Sequence, residues 1–230
     1  LYDMNFQEMT PVQEHTIPVI LEGRDIIGCA QTGTGKTAAY TLPLLNRLLL
    51  EGNEDNVIKS VIIVPTRELA QQIDQQFQGF SYYLPVSTTV VYGGGDGKGW
   101  DAQKRGMLMG SDVVIATPGR MIAHLQNSGV DLSHVEYLIL DEADRMLDMG
   151  FFDDVTKIIE KVKNRRNLGL FSATISQEVM TVSWMYQRDE VEITVPADTD
   201  NRPDITQYSI TCPPLEKIDM VSRLIRTLRL

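Results

Sequence analysis

Residues 30–37 read Ala30-Gln31-Thr32-Gly33-Thr34-Gly35-Lys36-Thr37. The apolar pattern predicts a strand over residues 25–30 before this segment and a helix over residues 36–50 after it. Glycines let the backbone curl so that successive N–H groups point at one anion, and a helix N-terminus adds partial positive charge. The segment therefore predicts a phosphate-binding loop, although Ala30 stands where the general pattern has glycine. The candidate nucleotide-binding residues of the loop are Thr32, Gly33, Thr34, Gly35, Lys36 and Thr37.

A second segment, Asp141-Glu142-Ala143-Asp144, follows a short apolar strand predicted over residues 137–141. The loop's lysine has the reach to contact the β- and γ-phosphates of a nucleotide. Asp141 is the expected Mg²⁺ partner of the Thr37 hydroxyl, directly or through water, and Glu142 can orient or deprotonate an attacking water. Phosphoryl transfer needs mainly positioning and charge neutralisation, so the two segments together predict an enzyme that hydrolyses a nucleoside triphosphate. The alternative is an acidic helix cap, which suits one carboxylate better than three.

Composition limits the other classes of function. Of 230 residues, 43% are apolar and 23% charged, as in ordinary globular proteins. No apolar run is long enough for a membrane helix and no secretory signal opens the chain, so no membrane partner is expected. Cys29 and Cys212 lie in unlike contexts, which favours free thiols in a cytoplasmic protein. The net charge of −10 argues against a nucleic-acid binder without excluding one, because backbone amides and a few arginines can hold a phosphate chain.

Short β-branched runs alternate with helical stretches, which predicts an α/β fold with a mainly parallel sheet and helices on both faces. Strands are predicted over residues 25–30, 60–65, 88–92, 112–117, 137–141, 169–172 and 191–195. Helices are predicted over residues 36–50, 67–83, 100–109, 119–127, 152–162 and 177–185, and a further helix is capped at Thr10-Pro11.

The composition changes near residue 196. Residues 197–204 are polar, contain proline, and are typical of a linker. A strand over residues 205–211 and an amphipathic helix over residues 215–228 are predicted after it. We therefore expect one domain over residues 1–196 and the truncated start of a second over residues 205–230.

Further short motifs stand at the ends of the predicted strands. They are Phe6 with Thr10-Pro11-Val12-Gln13, Pro65-Thr66-Arg67-Glu68-Leu69-Ala70, Gly93-Gly94, Thr117-Pro118-Gly119-Arg120, Ser172-Ala173-Thr174, and the tetrad with its continuation through Phe151. In this order the motifs resemble those of the DEAD-box ATP-dependent RNA helicases. The resemblance covers essentially residues 1–230 and implies a RecA-like P-loop NTPase domain. It also implies ATP and Mg²⁺ as cofactors, with RNA and a second RecA-like domain of the same protein as partners.

The resemblance implies an adenine-reading segment near the start of the chain. Gln13 can donate and accept a hydrogen bond at once, which matches the N6/N7 edge of adenine and selects ATP over GTP. Phe6 is expected to stack on the base, with Thr10 in the same segment. The chain departs from the family pattern at Met9, where proline is usual, and the isolated upstream aromatic of the family would precede Leu1. The alternative for Gln13 is a simple helix-capping residue.

The resemblance also implies an RNA track that grips the sugar-phosphate of one strand. Its residues are Pro65, Thr66, Arg67, Gly93, Gly94, Thr117, Pro118, Gly119 and Arg120. Glycines allow close approach, hydroxyls and N–H groups donate to phosphate, and arginines add charge. Such contacts carry no base information, so binding is expected to be independent of sequence. Ordinary turn glycines and helix caps are the alternative.

The hydroxyls of Ser172 and Thr174 are implied to hydrogen-bond Asp144 and so to link hydrolysis to the neighbouring domain. The candidate catalytic residues are thus Lys36, Asp141, Glu142, Asp144, Ser172 and Thr174.

The implied activity is RNA-stimulated ATP hydrolysis coupled to local duplex unwinding or remodelling of RNA–protein complexes. In the family, arginines that stabilise transition-state charge come from the second domain, so this chain alone is expected to bind nucleotide weakly and hydrolyse it poorly. Two alternatives stay open: an ATP-gated RNA clamp or scaffold with little unwinding, and a DNA translocase of the same superfamily. No function is assigned to the glycine-rich residues 95–99.

Overall fold

A seven-stranded sheet, in which every neighbouring pair of strands is parallel, forms the centre of the first of two units of the chain, Leu1–Ala197. Its strands are β1 (Ile26–Cys29), β2 (Ser60–Ile63), β3 (Thr88–Val91), β4 (Val113–Ala116), β5 (Tyr137–Leu140), β6 (Asn167–Ser172) and β7 (Val191–Thr194). They lie in the order β3-β4-β2-β5-β6-β1-β7. The computed structural model describes residues 1, 4–52, 57–94, 97–196, 206 and 208–228.

Helices connect successive strands, as βα crossovers require, and one further helix precedes β1. They are α1 (Pro11–Leu21), α2 (Lys36–Glu51), α3 (Arg67–Phe80), α4 (Gly97–Leu108), α5 (Pro118–Asn127), α6 (Ala143–Asp148), α7 (Phe152–Lys161) and α8 (Gln177–Tyr186). The sequence did not predict α6, because six residues are too few to show a helical period. Residues 95 and 96 of the glycine-rich stretch lie outside the described residues, and α4 begins at Gly97.

The core has two apolar layers, one on each face of the sheet. Along β2, Val61 and Ile63 belong to one layer and Ile62 to the other. Successive side chains of a strand point to opposite faces, so a strand covered on both sides is apolar throughout. The predicted α/β class with helices on both faces is confirmed.

At the edge of the sheet where the strands begin, Asp25 joins three strands. Its Oδ1 accepts the Leu168 N–H at 2.6 Å and its Oδ2 accepts the Arg188 N–H at 2.7 Å. The amide of Gln187 donates to the carbonyls of Ile26, at 2.9 Å, and Leu168, at 2.7 Å. Burial raises the pKa of Asp25, opposed by these backbone hydrogen bonds. The starts of β1 and β6 and the entry to β7 are thereby tied together.

His124 on α5 is 0% exposed. Its ring stacks on Trp100 with centroids 3.8 Å apart, and its Nε2 lies 3.2 Å from Gln103 Oε1. Burial, followed by the positive charges of Arg120 and Lys104, lowers the pKa of His124 from 6.5 to about 4. The imidazole is therefore neutral in the folded protein at physiological pH.

Acidification from about pH 7 to about pH 5 is expected to lower the free energy of unfolding of the wild type by about 2 kcal/mol more than that of His124→Gln. Unfolded His124 takes up a proton near pH 6.5, whereas the folded imidazole stays neutral down to about pH 4, so stability falls with pH between these values. Urea unfolding at both pH values measures the difference. His15→Gln, at an exposed position, is the control and should follow the wild type. Equal pH dependence of wild type and His124→Gln would contradict the prediction.

Contacts divide the chain into two units, Leu1–Ala197 and Asp198–Leu230. In the second unit a 3₁₀ turn over Pro214–Glu216 leads into α9 (Lys217–Leu228), close to the predicted helix. The predicted strand over residues 205–211 is not formed at residues 206 and 208–211, because a single strand has no sheet partner for its backbone groups. The predicted linker over residues 197–204 lies outside the described residues, so the domain division stays a prediction. Among the described helices, none has the length and apolar character needed to cross a membrane.

Candidate functional site: a nucleotide cleft and an adjoining strand-end surface

The phosphate loop leaves β1 at Cys29 and enters α2 at Lys36. Gly33 has φ 85° and Gly35 has φ 91°. These are left-handed conformations that cost other residues about 1–2 kcal/mol. Both glycines are therefore required by the path of the backbone, and the helix start lies where the sequence predicted it.

The Lys36 side chain is only 8% exposed. Its ammonium donates to the Ala30 carbonyl and, at 3.4 Å, to the Ser172 carbonyl. These carbonyls belong to the ends of the neighbouring strands β1 and β6. The ammonium thus lies at the floor of the loop, and its contact with β- and γ-phosphates stays a prediction.

Gln13 joins the start of α1 to the phosphate loop. Its Oε1 accepts the Thr10 N–H at 3.0 Å, and its Nε2 donates to the Gly35 carbonyl at 3.2 Å. A β-carbon on Gly35 would lie 2.5 Å from Gln13 Nε2. The capping role considered for Gln13 is therefore present together with a contact to the loop. Phe6 packs edge-on against Phe80, with ring centroids 5.2 Å apart.

Asp141, directly after β5, is 3% exposed. Its Oδ2 accepts the Tyr40 hydroxyl at 2.7 Å, and its Oδ1 accepts the N–H of Glu142 at 2.9 Å. Burial raises the pKa of Asp141, against the lowering effect of the Tyr40 hydrogen bond. Tyr40 was not among the predicted site residues, although it lies one helical turn after Lys36 on α2.

Glu142 has left-handed backbone angles, φ 50° and ψ 48°. This conformation is uncommon for a residue with a side chain, and such strain occurs often at functional sites. Arg145, three residues on, holds Glu142 Oε2 through its Nη1 at 3.0 Å. Arg145 was not among the predicted site residues, because the short helix α6 that brings it beside Glu142 was not predicted.

Asp144 contacts the segment after β6. Its Oδ2 accepts the N–H of Thr174 at 2.9 Å and the Thr174 hydroxyl at 2.8 Å. Ser172 differs from the expectation, because its hydroxyl accepts the backbone N–H of Asp144 at 3.2 Å and donates to the Thr174 carbonyl at 2.7 Å. Burial raises the pKa of Asp144, but the hydrogen bonds, led by that of the Thr174 hydroxyl, outweigh it, and the pKa lies below its usual value.

One cleft of about 270 Å³ lies between the phosphate loop and the tetrad. Its lining residues are Thr32, Lys36, Glu142, Asp144, Arg145, Asp148 and Ala173. The structure therefore brings the two segments that predict nucleotide hydrolysis, and the segment after β6, to one place. Asp141 is close behind them and buried.

The predicted RNA residues lie at the same edge, after other strands. Pro65 and Thr66 connect β2 to α3, and Thr66 Oγ1 accepts an N–H of the first helical turn at 3.3 Å. Arg67 begins α3. Gly93 and Gly94 follow β3, and a β-carbon on Gly94, whose φ is 93°, would lie 3.6 Å from Arg67 Nη1. These loops are neighbours, while their contact with RNA stays a prediction.

The last predicted RNA segment begins α5. Thr117 is its N-cap and Pro118 its first residue, followed by Gly119. The Arg120 guanidinium lies 4.5 Å from the centre of the Trp100 ring, and its Nε donates to Gln103 Oε1 at 2.9 Å. Trp100 and Gln103 were missed as neighbours of Arg120, because they come from α4 through a contact that sequence spacing does not show.

The family model described as DEAD/DEAH box helicase matches residues 10–182 of the chain. The chain belongs to this family. Among curated relatives, the ATP-dependent RNA helicase CshA of Listeria monocytogenes is 40% identical over 96% of this chain and 42% of that protein. The probable ATP-dependent RNA helicase ddx27 of Dictyostelium discoideum is 43% identical over 84% of this chain and 24% of that protein. The chain thus spans less than half the length of these two relatives.

Two crystal structures share the fold of this DEAD/DEAH box helicase domain. A hypothetical ATP-dependent RNA helicase from Sulfolobus tokodaii has a TM-score of 0.76 and 37% identity, over 84% of this chain and 55% of that one. The yeast DEAD-box splicing factor Prp28 has a TM-score of 0.79 and 32% identity, over 86% of this chain and 48% of that one. The RecA-like, nucleotide-binding architecture inferred from the motifs is confirmed.

A magnesium ion fits the donor chemistry of this DEAD/DEAH box site. Each Asp141 oxygen accepts one hydrogen bond, and a carboxylate oxygen has two acceptor sites, so each keeps one for a metal or its water. Thr37 supplies a hydroxyl. Within the described part of the chain no three His, Cys, Asp or Glu side chains are grouped as a metal site, so the ion would also need water and nucleotide oxygens, as Mg²⁺ commonly does.

Proposed function

We propose that residues 1–196 are the N-terminal RecA-like, ATP-binding domain of an ATP-dependent RNA helicase. Residues 197–204 are the linker and residues 205–230 begin the second RecA-like domain. The observation that carries the proposal is the single cleft between phosphate loop and tetrad, in which Asp144 is hydrogen-bonded to Thr174. The cleft contains the groups needed for hydrolysis, and one of them, Asp144, also binds the segment after β6.

In this proposal ATP is held by side chains and backbone from three segments. The adenine contacts Phe6, Thr10 and Gln13, and the N–H groups of the loop hold the phosphates. Lys36 Nζ lies at the floor of the loop, bound to two carbonyl oxygens, and exchanges those contacts for the β- and γ-phosphates. Thr37 and Asp141 would hold Mg²⁺, which would neutralise charge on the phosphates.

Glu142 orients the attacking water and accepts its proton. The left-handed turn directs its carboxylate into the cleft wall, where Arg145 pairs with it. Such an exposed pair contributes little stability and is readily opened. Asp144 and Thr174 then transmit the state of the cleft to the loop after β6, which links hydrolysis to the second domain.

RNA lies along the loops that follow β2, β3 and β4, held through its sugar-phosphate backbone. Contacts by backbone N–H groups, hydroxyls and arginines read no base, so binding is independent of sequence. Closure of the two domains bends one strand and releases its partner, and loss of phosphate reopens the cleft. Arginines of the second domain complete the site for hydrolysis.

The test is ATP hydrolysis by the protein carrying both domains, with RNA or single-stranded DNA of the same sequence. RNA is expected to stimulate at least about tenfold more than DNA, since only RNA offers the 2′-hydroxyl. Equal stimulation would favour a DNA translocase instead. Release of a short RNA duplex, measured beside the residence time on RNA, distinguishes unwinding from an ATP-gated clamp, which would hold RNA long and release little duplex.

A further inference from the structure

Tyr40 is a buried polar residue that the proposed hydrolysis does not yet use. It lies on α2 and is 0% exposed. Its hydroxyl donates to Asp141 Oδ2 at 2.7 Å, across 101 residues of sequence. Burying a hydroxyl is unfavourable unless it is hydrogen-bonded, and a phenylalanine would fill the same apolar space without that cost. The hydroxyl is thus explained by its partner and not by packing.

The same hydroxyl also lies near Thr37, on the other side of the proposed magnesium site. The Thr37 side chain, three residues before Tyr40 on α2, is close enough to oppose the rise that burial causes in the pKa of the Tyr40 hydroxyl. Residues three apart on a helix lie on one face, so α2 carries both groups towards the end of β5. Tyr40 therefore binds Asp141 directly and lies beside Thr37, and these are the two side chains to which the proposed function assigns the magnesium ion.

The Tyr40 ring is held from the sheet side by Phe171 of β6, with ring centroids 5.0 Å apart. Phe171 in turn lies over Gly28 of β1, where a β-carbon would be 2.8 Å from the phenyl ring. The absence of a side chain at Gly28 makes room for Phe171, and Phe171 limits where the tyrosine ring can lie. The hydroxyl is consequently held in place by three neighbouring elements of the fold.

We propose that Tyr40 is a positioning residue for magnesium, fixing the Asp141 carboxylate against α2, beside Thr37, before Mg²⁺–nucleotide binds. This inference rests on the proposed function, in which those two residues hold the ion. Hydrogen-bond partners of metal ligands commonly contribute about 10–100-fold to metal affinity. Tyr40 thereby strengthens binding of the magnesium complex of a nucleotide and not of the nucleotide itself.

The experiment uses Tyr40→Phe in the 230-residue chain and measures the affinity for a fluorescent ADP with excess Mg²⁺ and with EDTA. The wild type is expected to bind the fluorescent ADP more tightly with Mg²⁺ than with EDTA. In the variant, the ratio of these two affinities should be about tenfold smaller. Its affinity in EDTA should stay within about twofold of the wild type. Thermal unfolding of both proteins checks that the fold is retained.

Tyr137→Phe is a matched control. Tyr137 begins β5 and donates its hydroxyl to Glu51, the last residue of α2, at 3.4 Å. The substitution removes a hydroxyl oxygen from another tyrosine–carboxylate pair between α2 and β5. That pair lies at the end of α2 and the start of β5, opposite to the ends that carry Tyr40 and Asp141. Its Mg²⁺ dependence should equal that of the wild type.

Three outcomes would overturn the inference. An unchanged Mg²⁺ gain in Tyr40→Phe removes Tyr40 from the site and leaves the proposed function standing. An equal loss with Mg²⁺ and with EDTA shows that Tyr40 serves only the structure of the loop. A wild type whose nucleotide affinity ignores Mg²⁺ overturns the assignment of Thr37 and Asp141, and this inference with it.

Discussion

Glu142→Gln is expected to lower RNA-stimulated ATP hydrolysis by about 10²–10⁴-fold in the protein that carries both domains, with ATP affinity within about threefold of the wild type. Glutamine has the shape of glutamate and still offers Arg145 an acceptor, so the left-handed turn and the cleft are retained. It cannot take a proton from water. Steady-state hydrolysis and equilibrium binding of a fluorescent nucleotide measure the two effects.

Glu160→Gln is the control for this change. Glu160 lies on α7, where its carboxylate accepts the Tyr186 hydroxyl at 3.0 Å. The substitution removes one negative charge from the same domain without entering the cleft, and hydrolysis should stay at the wild-type rate. Turnover by Glu142→Gln equal to that of Glu160→Gln would remove Glu142 from the mechanism. A parallel loss of ATP affinity would instead indicate damage to the phosphate loop.

Gly35→Ala is expected to lower ATP affinity about 100-fold and to abolish the preference for ATP over GTP. Alanine at φ 91° is strained by about 1–2 kcal/mol, and its β-carbon would lie 2.5 Å from Gln13 Nε2. The Gln13 side chain can move away only by giving up its hydrogen bonds to Thr10 and to the loop, each worth about 1 kcal/mol. Competition binding with ATP and GTP measures both quantities.

Gly33→Ala is the control that distinguishes the effect of backbone strain from the effect of displacing the Gln13 side-chain amide. Gly33 has a similar φ of 85°, but no atom lies within 4 Å of its added β-carbon. Its affinity should fall about tenfold, from strain alone, and the preference for ATP should persist. If Gly35→Ala also keeps that preference, Gln13 does not select the base.

The sequence predicted what is local in this domain. The phosphate loop, the tetrad and the strands around them follow from apolar runs, glycines and carboxylates that are adjacent along the chain. Because the carboxyl ends of parallel strands lie at one edge of the sheet, the sequence also predicted that the loops carrying the motifs share that edge. The predicted class of fold and the family are confirmed, whereas the roles of the individual site residues stay predictions.

Contacts that depend on strand order could not be predicted. The Tyr40–Asp141 bond requires α2 to lie against β5, and the Asp25 bonds to Leu168 and Arg188 join strands distant in sequence. The resting position of Lys36 depends on β6 lying beside β1. Sequence periodicity contains no information on which strand is the neighbour of which, so these partners emerge only from the folded sheet.

The position of β1 in the sheet has a consequence for how the nucleotide site arises during synthesis. β1 leaves the ribosome first among the strands, yet its two hydrogen-bonded neighbours, β6 and β7, leave last. Pairings this distant in sequence form slowly, because the intervening chain must be ordered first. β1, which leads into the phosphate loop, therefore has no strand partner until β6 has been made, and its other edge has none until residues up to Thr194 have been made. We therefore expect the nucleotide site to form late in synthesis, and premature termination before β7 to leave β1 as an exposed edge prone to aggregation.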